Sequence, residues 1–242
     1  MIEIVPAIDV MDGRCVRLSK GDYATRKTYD AAVPDMARAF ADAGVRRIHM
    51  VDLDGAKASS PVNLRTLEQV RSAVDVEVEW GGGISSAVAL GSVLDAGADY
   101  AIIGSIAALQ PETFRSWLRG PRGGSLILGA DVRGGLIAVK GWQESASTGI
   151  DALVEEFLPD GLQSVICTEI SRDGMLSGPA TELYVRLKKK YPQVCLTVSG
   201  GISSMDDIRA LDALGLEKVI AGKAIYEGRI TLEEIRKWSQ NA

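Results

Sequence analysis

An α/β fold, a closed (β/α)8 TIM barrel with a two-fold half-barrel repeat, is the architecture this chain predicts. Eight short apolar runs alternate with longer amphipathic stretches through 242 residues, near the roughly 250 typical of the class. Two glycine-rich signatures recur at one offset. Gly81-Gly82-Gly83-Ile84-Ser85 is followed by Gly104-Ser105-Ile106, and Ser199-Gly200-Gly201-Ile202-Ser203 is followed by Gly222-Lys223-Ala224-Ile225. Both elements of the second signature lie 118 residues after their counterparts. Asp9 and Asp131 also recur, 122 residues apart, each ending an apolar run, preceding Val and standing four residues before Gly (Gly13, Gly135).

The strand runs are residues 4–8, 47–52, 76–79, 100–103, 126–131, 164–168, 196–199 and 218–221. They are near-continuously apolar rather than alternating, the pattern of parallel strands covered by helices on one face and packed on the other. Helices are expected between them. Residues 34–43 begin with Pro34 and stop at Gly44, residues 88–96 stop at Gly97, and residues 205–214 follow Ser203-Ser204 and stop at Gly215. Proline and serine suit the helix end whose N–H groups lack partners, and glycine suits the left-handed residue that closes the other end. The last helix starts at Thr231 with Glu234 three residues on, a capping-box pattern. The alternative is an open doubly wound sheet, which carries its glycine fingerprint after the first strand. Here that position reads Asp9-Val10-Met11-Asp12-Gly13. No Pro-, Ser- or charge-rich linker divides the chain, so residues 1–242 read as one domain with half-barrels at roughly 1–122 and 123–242.

Composition narrows the function classes. With 46% hydrophobic and 24% charged residues the chain can bury a sizeable core, and a net charge of −5 argues against a nucleic-acid partner. The three cysteines, Cys15, Cys167 and Cys195, are widely spaced and form no Cys-x-x-Cys, which favours a reducing compartment. The first residues lack the basic and long apolar regions of a signal peptide, and no stretch is apolar enough to span a bilayer. A cytoplasmic monomer with no membrane partner is expected.

The paired signatures read as two phosphate clamps. Glycine lets backbone N–H groups approach an anion closely, and a following helix N-terminus adds to the site. The clamp residues are Gly82, Gly83, Gly104 and Ser105 in one half and Gly200, Gly201, Gly222 and Lys223 in the other. Tight turns are the plain alternative, but a matched pair points to a ligand with a phosphate at each end. In a barrel the clamps face each other across the mouth, at the strand ends where such enzymes hold their sites. Asp9 and Asp131 stand on opposite walls and can divide acid and base duties, although a strand-terminal Asp can also be a simple cap. Thr168 ends the sixth run and can bond a substrate hydroxyl. Asp173 can do the same, or only make the turn at Gly174. Trp142, in a loop with Lys140, Gly141 and Gln143, can stack on a planar heterocycle. Arg17 and Lys20, in the first strand-end loop, can meet an anionic ligand. His49, the one histidine, lies inside an apolar run and reads as packed rather than catalytic. No cluster has metal-ligand spacing.

With these residues in place, the chain resembles the phosphoribosyl isomerases of histidine biosynthesis. The resemblance runs from Ile4 to the last helix. It rests on Pro6-Ala7-Ile8-Asp9 with Val16-Arg17-Leu18 and Gly21-Asp22, on Gly81-Gly82-Gly83-Ile84, on Asp131 through Lys140-Gly141-Trp142, and on Thr168-Glu169-Ile170 with Arg172-Asp173-Gly174. It implies a half-barrel-duplicated (β/α)8 fold and a bisphosphorylated substrate, N'-(5'-phosphoribosyl)-formimino-5-aminoimidazole-4-carboxamide ribonucleotide. The implied reaction is an Amadori rearrangement of aminoaldose to aminoketose, without cofactor or metal. It places the two catalytic aspartates at Asp9 and Asp131, an assisting threonine at Thr168 and the aromatic over the substrate at Trp142. One departure stands out: many relatives have Arg after Gly-Gly-Gly-Ile, where this chain has Ser85-Ser86, and Arg17 or Arg26 is the candidate replacement.

Three rivals remain. The related glutaminase-coupled cyclase would show Asp-Val-Lys where this chain has Asp9-Val10-Met11, and lacks the Lys-Gly-Trp and Thr-Glu-Ile segments. A dual-substrate isomerase would also accept phosphoribosyl anthranilate. A non-catalytic phosphate-binding barrel has no use for both Asp9 and Asp131.

Overall fold

Eight parallel strands close on themselves in a computed structural model that describes residues 1–19, 21–142 and 144–240. Lys20 and Gln143, named above beside the site, lie outside the described residues. In chain order the strands are β1 (Glu3–Met11), β2 (Arg14–Ser19), β3 (Asp22–Thr28), β4 (Arg47–Asp52), β5 (Glu77–Gly81), β6 (Tyr100–Ile103), β7 (Leu126–Arg133), β8 (Leu136–Val139), β9 (Glu144–Gly149), β10 (Ser164–Glu169), β11 (Cys195–Ser199) and β12 (Lys218–Ala221). The barrel ladder runs β1-β4-β5-β6-β7-β10-β11-β12, and β12 pairs in parallel with β1 to close it. All eight apolar runs are its staves. The remaining four strands form two antiparallel excursions, β2–β3 after β1 and β8–β9 after β7.

The register reveals the two-fold pattern. Asp9, Val51, Gly81 and Ile102 follow one another across the first half, and Asp131, Thr168, Ser199 and Ile220 mark the same layer in the second. Ile102 pairs with Ile127, four residues short of Asp131, and Ile220 pairs with Val5, four residues short of Asp9. Two such lags make the eight-residue stagger of this barrel class. Each half also opens with the same hairpin. Asp12-Gly13 and Gly134-Gly135 are two-residue turns with φ of 52° and 69°, and 58° and 85°. Positive φ at both positions is the type I′ geometry whose twist matches that of paired strands.

The expected helices form within a residue or two. Val33–Asp42 carries Pro34 in its first turn, Ala87–Asp95 is capped by Ser86, and Met205–Ala213 is capped by Ser204 in a capping box with Asp207. At the last helix, Leu232–Gln240, Thr231 Oγ1 accepts from the Glu234 amide at 3.2 Å while Glu234 accepts from the Thr231 amide at 2.9 Å. Among the described residues no helix is long and apolar enough to cross a membrane.

Two cores result. The larger lies between strands and helices and holds Phe40, Trp80, Phe114 and Phe157. The smaller fills the barrel interior with Val5, Ala7, Ile127, Ile166 and Ile220. The interior is not wholly apolar, because period two along a strand sends every second residue inward. On β4 and β5 those residues include Arg47, His49, Glu77 and Glu79, joined by ion pairs and hydrogen bonds.

Candidate active site

One cavity of about 240 Å³ occupies the C-terminal mouth of the barrel. Ladder order puts β1 opposite β7, so Asp9 and Asp131 face each other across it; both line the cavity. The two clamps are likewise opposed, one after β5 and β6, the other after β11 and β12. Their backbones match closely. Gly82 and Gly83 have φ of 102° and 80°, and Gly200 and Gly201 have 94° and 87°. Gly104 (φ −99°, ψ −95°) and Gly222 (φ −118°, ψ −93°) each stand at the N-terminus of a short helix. Gly82, Gly104, Gly200, Gly201, Gly222 and Lys223 line the cavity.

Gly83 and Ser105 are placed differently. Gly83 lies against the Ser60–Pro61 backbone, where a Cβ would overlap, and Ser105 Oγ accepts from the Lys140 amide at 2.8 Å. Lys223 Nζ donates to the Gly174 carbonyl at 2.8 Å, which ties the second clamp to the loop after β10.

Arg17 is on a strand, β2, not in the strand-end loop expected after the first apolar run. The β1–β2 hairpin sets its register against β1, where Val16 is the partner of Asp9. Its Nη1 donates to Asp9 Oδ2 at 2.7 Å and its Nη2 to the Ala7 carbonyl at 2.6 Å. Burial works against the guanidinium charge, but Asp9, with Tyr226 and Asp173, outweighs it and holds Arg17 above its ordinary range.

Asp131 has a different environment. Burial pushes its carboxyl above the usual range, against hydrogen bonding from Trp142 and Thr168 and the influence of His49. Trp142 Nε1 donates to Asp131 Oδ2 at 2.7 Å, and Thr168 is the register partner of Asp131 on β10. The indole packs on Gly21, where a Cβ would collide with the ring, so the β2–β3 and β8–β9 turns meet beside the mouth. Two carboxyls thus share one cavity in unlike surroundings, one ion-paired and one desolvated, the arrangement that separates acid from base duty.

Asp173 also lines the cavity, and burial, reinforced by Asp9 and Asp131, pushes it up to about 6. Its ordinary value is 3.8, so the folded chain holds a proton there that the unfolded chain releases. The sign follows by linkage: this carboxyl lowers stability as pH rises from about 4 to 6, and the loss persists above. Asp173→Asn should therefore raise the urea midpoint at pH 7.5 and leave it unchanged near pH 3.5. Equal effects at both values would exclude the buried charge as the cause.

Of the two arginines offered in place of the missing one, Arg17 reaches the cavity. Arg26 pairs with Asp12 at 2.9 Å on the exposed hairpin. Ser85 points away, its hydroxyl donating to the Ser59 carbonyl at 2.5 Å. Reading β4 as an apolar run hid His49. It is not simply packed: it lines the cavity, with Nδ1 2.8 Å from Glu79 Oε1. Period two would have found it, since Arg47, His49 and Val51 share one face.

Comparison with known proteins gives the family. The family model described as "Histidine biosynthesis protein" matches residues 3–231. The chain is 44% identical over 239 residues to the 1-(5-phosphoribosyl)-5-((5-phosphoribosylamino)methylideneamino) imidazole-4-carboxamide isomerase of Cytophaga hutchinsonii, covering 99% of this chain and 100% of that one. The proteins of the same name from Bacteroides thetaiotaomicron and Flavobacterium psychrophilum are 46% identical over 236 residues and 40% identical over 240 residues. These alignments cover 98% and 99% of this chain, and 99% and 100% of the two relatives.

Proposed function

We infer the reaction from the premise that the chain belongs to the histidine biosynthesis protein family: it is an isomerase that converts the aminoaldose N'-(5'-phosphoribosyl)-formimino-5-aminoimidazole-4-carboxamide ribonucleotide to its aminoketose. One observation carries the assignment to this site. Two unlike aspartates face each other midway between two matched anion clamps, which suits a ligand with a phosphate at each end and reacting carbons in its middle.

The chemistry distributes over the residues. Asp131, a carboxyl that burial inclines to keep its proton, donates it to the ribose ring oxygen. The ring opens and the nitrogen lone pair forms the C1'–N imine. Asp9, ion-paired with Arg17, removes the proton from C2', giving the enolamine. Protonation at C1' and loss of the proton from O2' complete the ketose, so the net change is one proton moved from C2' to C1' and one from O2' to the former ring oxygen, which leaves both carboxyls as they began. Thr168 holds Asp131 and a substrate hydroxyl, and Trp142, next to Asp131, covers the planar imidazole half. Asp173 bonds a substrate hydroxyl or takes a proton in passing. No cofactor or metal enters these steps.

One chain supplies both aspartates and both clamps, which supports a single 242-residue domain acting as a monomer. The free thiols of Cys15, Cys167 and Cys195 are in keeping with a cytoplasmic setting. The test is direct. Purified protein with the aminoaldose should form the ketose, and phosphoribosyl anthranilate offered in parallel should remain unchanged. Turnover of both would make it a dual-substrate isomerase, and saturable binding without turnover a phosphate-ligand receptor.

A further inference from the structure

Beneath the reacting layer lies a buried polar chain that the mechanism above does not use. Glu79 is 0% exposed and Arg47 is 7% exposed, both inside the barrel. Arg47 Nη1 donates to Glu79 Oε2 at 3.3 Å, while its Nε and Nη2 donate to Glu77 Oε2 at 3.0 and 2.7 Å. The guanidinium also lies 4.0 Å from the centroid of the Tyr100 ring. Arg47 is thus fixed on three sides, and it fixes Glu79. The other Glu79 oxygen, Oε1, is 2.8 Å from His49 Nδ1, and His49 lines the substrate cavity. A carboxylate paired with an arginine has no proton to give, so the imidazole must supply the one in this bond. The Nδ1–H of His49 is committed to Glu79, and Nε2 is left for the cavity.

We propose that Glu79, held by Arg47, is a positioning residue: it fixes His49 in the tautomer that turns an unprotonated Nε2 to the substrate, as an acceptor for a sugar hydroxyl. The proposal rests on the isomerase reading for the identity of that hydroxyl. A buried ion pair is an expensive way to fill a barrel compared with apolar side chains, and orienting a working histidine is a recognised use of such a carboxylate. The pair sits where that use requires it, one hydrogen bond behind a ring in the cavity.

Glu79→Gln separates this role from mere filling. The amide keeps the shape but has one acceptor and one donor end. Arg47 only donates, so it takes the amide oxygen. The amide N–H2 then faces Nδ1, which must accept, and the ring proton moves to Nε2. The cavity meets a donor where it had an acceptor.

His49 is the only histidine in the chain, so its nitrogen signals in a 15N-labelled sample need no assignment. In the wild type at mildly alkaline pH we expect a protonated Nδ1 and an unprotonated Nε2, and in Glu79→Gln the reverse. A wild-type ring protonated at Nε2, or one exchanging between tautomers, overturns the proposal without any variant. In turnover, Glu79→Gln should lower kcat about tenfold, by analogy with the low end for carboxylates that orient metal-bound histidines, with a smaller change in KM. In a His49→Gln background the same change should cost almost nothing more, because the effect passes through the ring. An additive loss, or an unchanged kcat despite the reversed tautomer, overturns it. The tautomer measurement needs no turnover, and wild-type turnover needs no particular tautomer, so failure of this proposal and failure of the isomerase reading are told apart.

Discussion

Asp131→Asn and Asp9→Asn should each lower kcat about 10²-fold or more, the lower part of the range for a lost general acid or base. Each replacement keeps the shape of the side chain. In Asp131→Asn the amide oxygen can still accept from the Trp142 indole, so the mouth keeps its form while the proton for the ring oxygen is gone. In Asp9→Asn the amide oxygen can still accept from Arg17, but the side chain no longer carries the charge that answers the guanidinium or the basicity that C2' requires. Binding should survive better than turnover, because on the proposed reading the phosphates are held by the backbone clamps and not by either carboxyl. The measurement is kcat and KM for each variant on the aminoaldose, beside binding of the ketose product. Near-normal turnover in either variant would remove that aspartate from the chemistry. Equal losses in binding and turnover would make it a ligand-holding group.

Gly82→Ala should destabilise the fold by at least about 2 kcal/mol, the sum of a backbone forced into a left-handed region and an overpacked contact. Gly82 has φ of 102°, and a Cβ there would overlap the Asp52 carbonyl oxygen. That oxygen belongs to a rigid site: the Asp52 side chain is 0% exposed and accepts from the Gly55, Val62 and Asn63 amides. The clamp cannot give way without breaking that knot. Gly201→Ala, with φ of 87° and the Gly178 carbonyl in the way, should behave alike. Gly134→Ala is the control, since its φ of 58° carries strain but nothing lies within 4 Å of a Cβ. Its loss should be near ~1 kcal/mol. Urea unfolding of the three variants checks the order. Equal midpoints for Gly82→Ala and Gly134→Ala would mean the clamp is looser than its packing indicates.

Much of the barrel was legible because most of its staves are buried on both faces and read as apolar runs, while β4 and β5 alternate, with Arg47, His49, Glu77 and Glu79 on their inward face. The hairpins β2–β3 and β8–β9 were not legible. Residues 22–28 and 144–149 are largely exposed and polar, and they pair with β2 and β8 rather than against a buried face. Arg17 read as a loop residue because it follows the Asp12-Gly13 turn that ends the first apolar run, although that turn only reverses the chain into β2, which presents Arg17 to Asp9.

The staves, the matched clamps and the residue types that can carry a proton are all written in the chain. These are local properties, set by apolar runs and by glycines whose φ no other residue adopts comfortably. Which groups share a cavity is a consequence of folding. Barrel closure brings Asp9 opposite Asp131, and the eight-residue stagger levels them. Folding also makes each group what it is: Asp131 is desolvated, Asp9 is ion-paired, and His49 is turned by Glu79. Desolvation and charge pairing depend on neighbours distant in the chain, and those neighbours exist only once the barrel has closed.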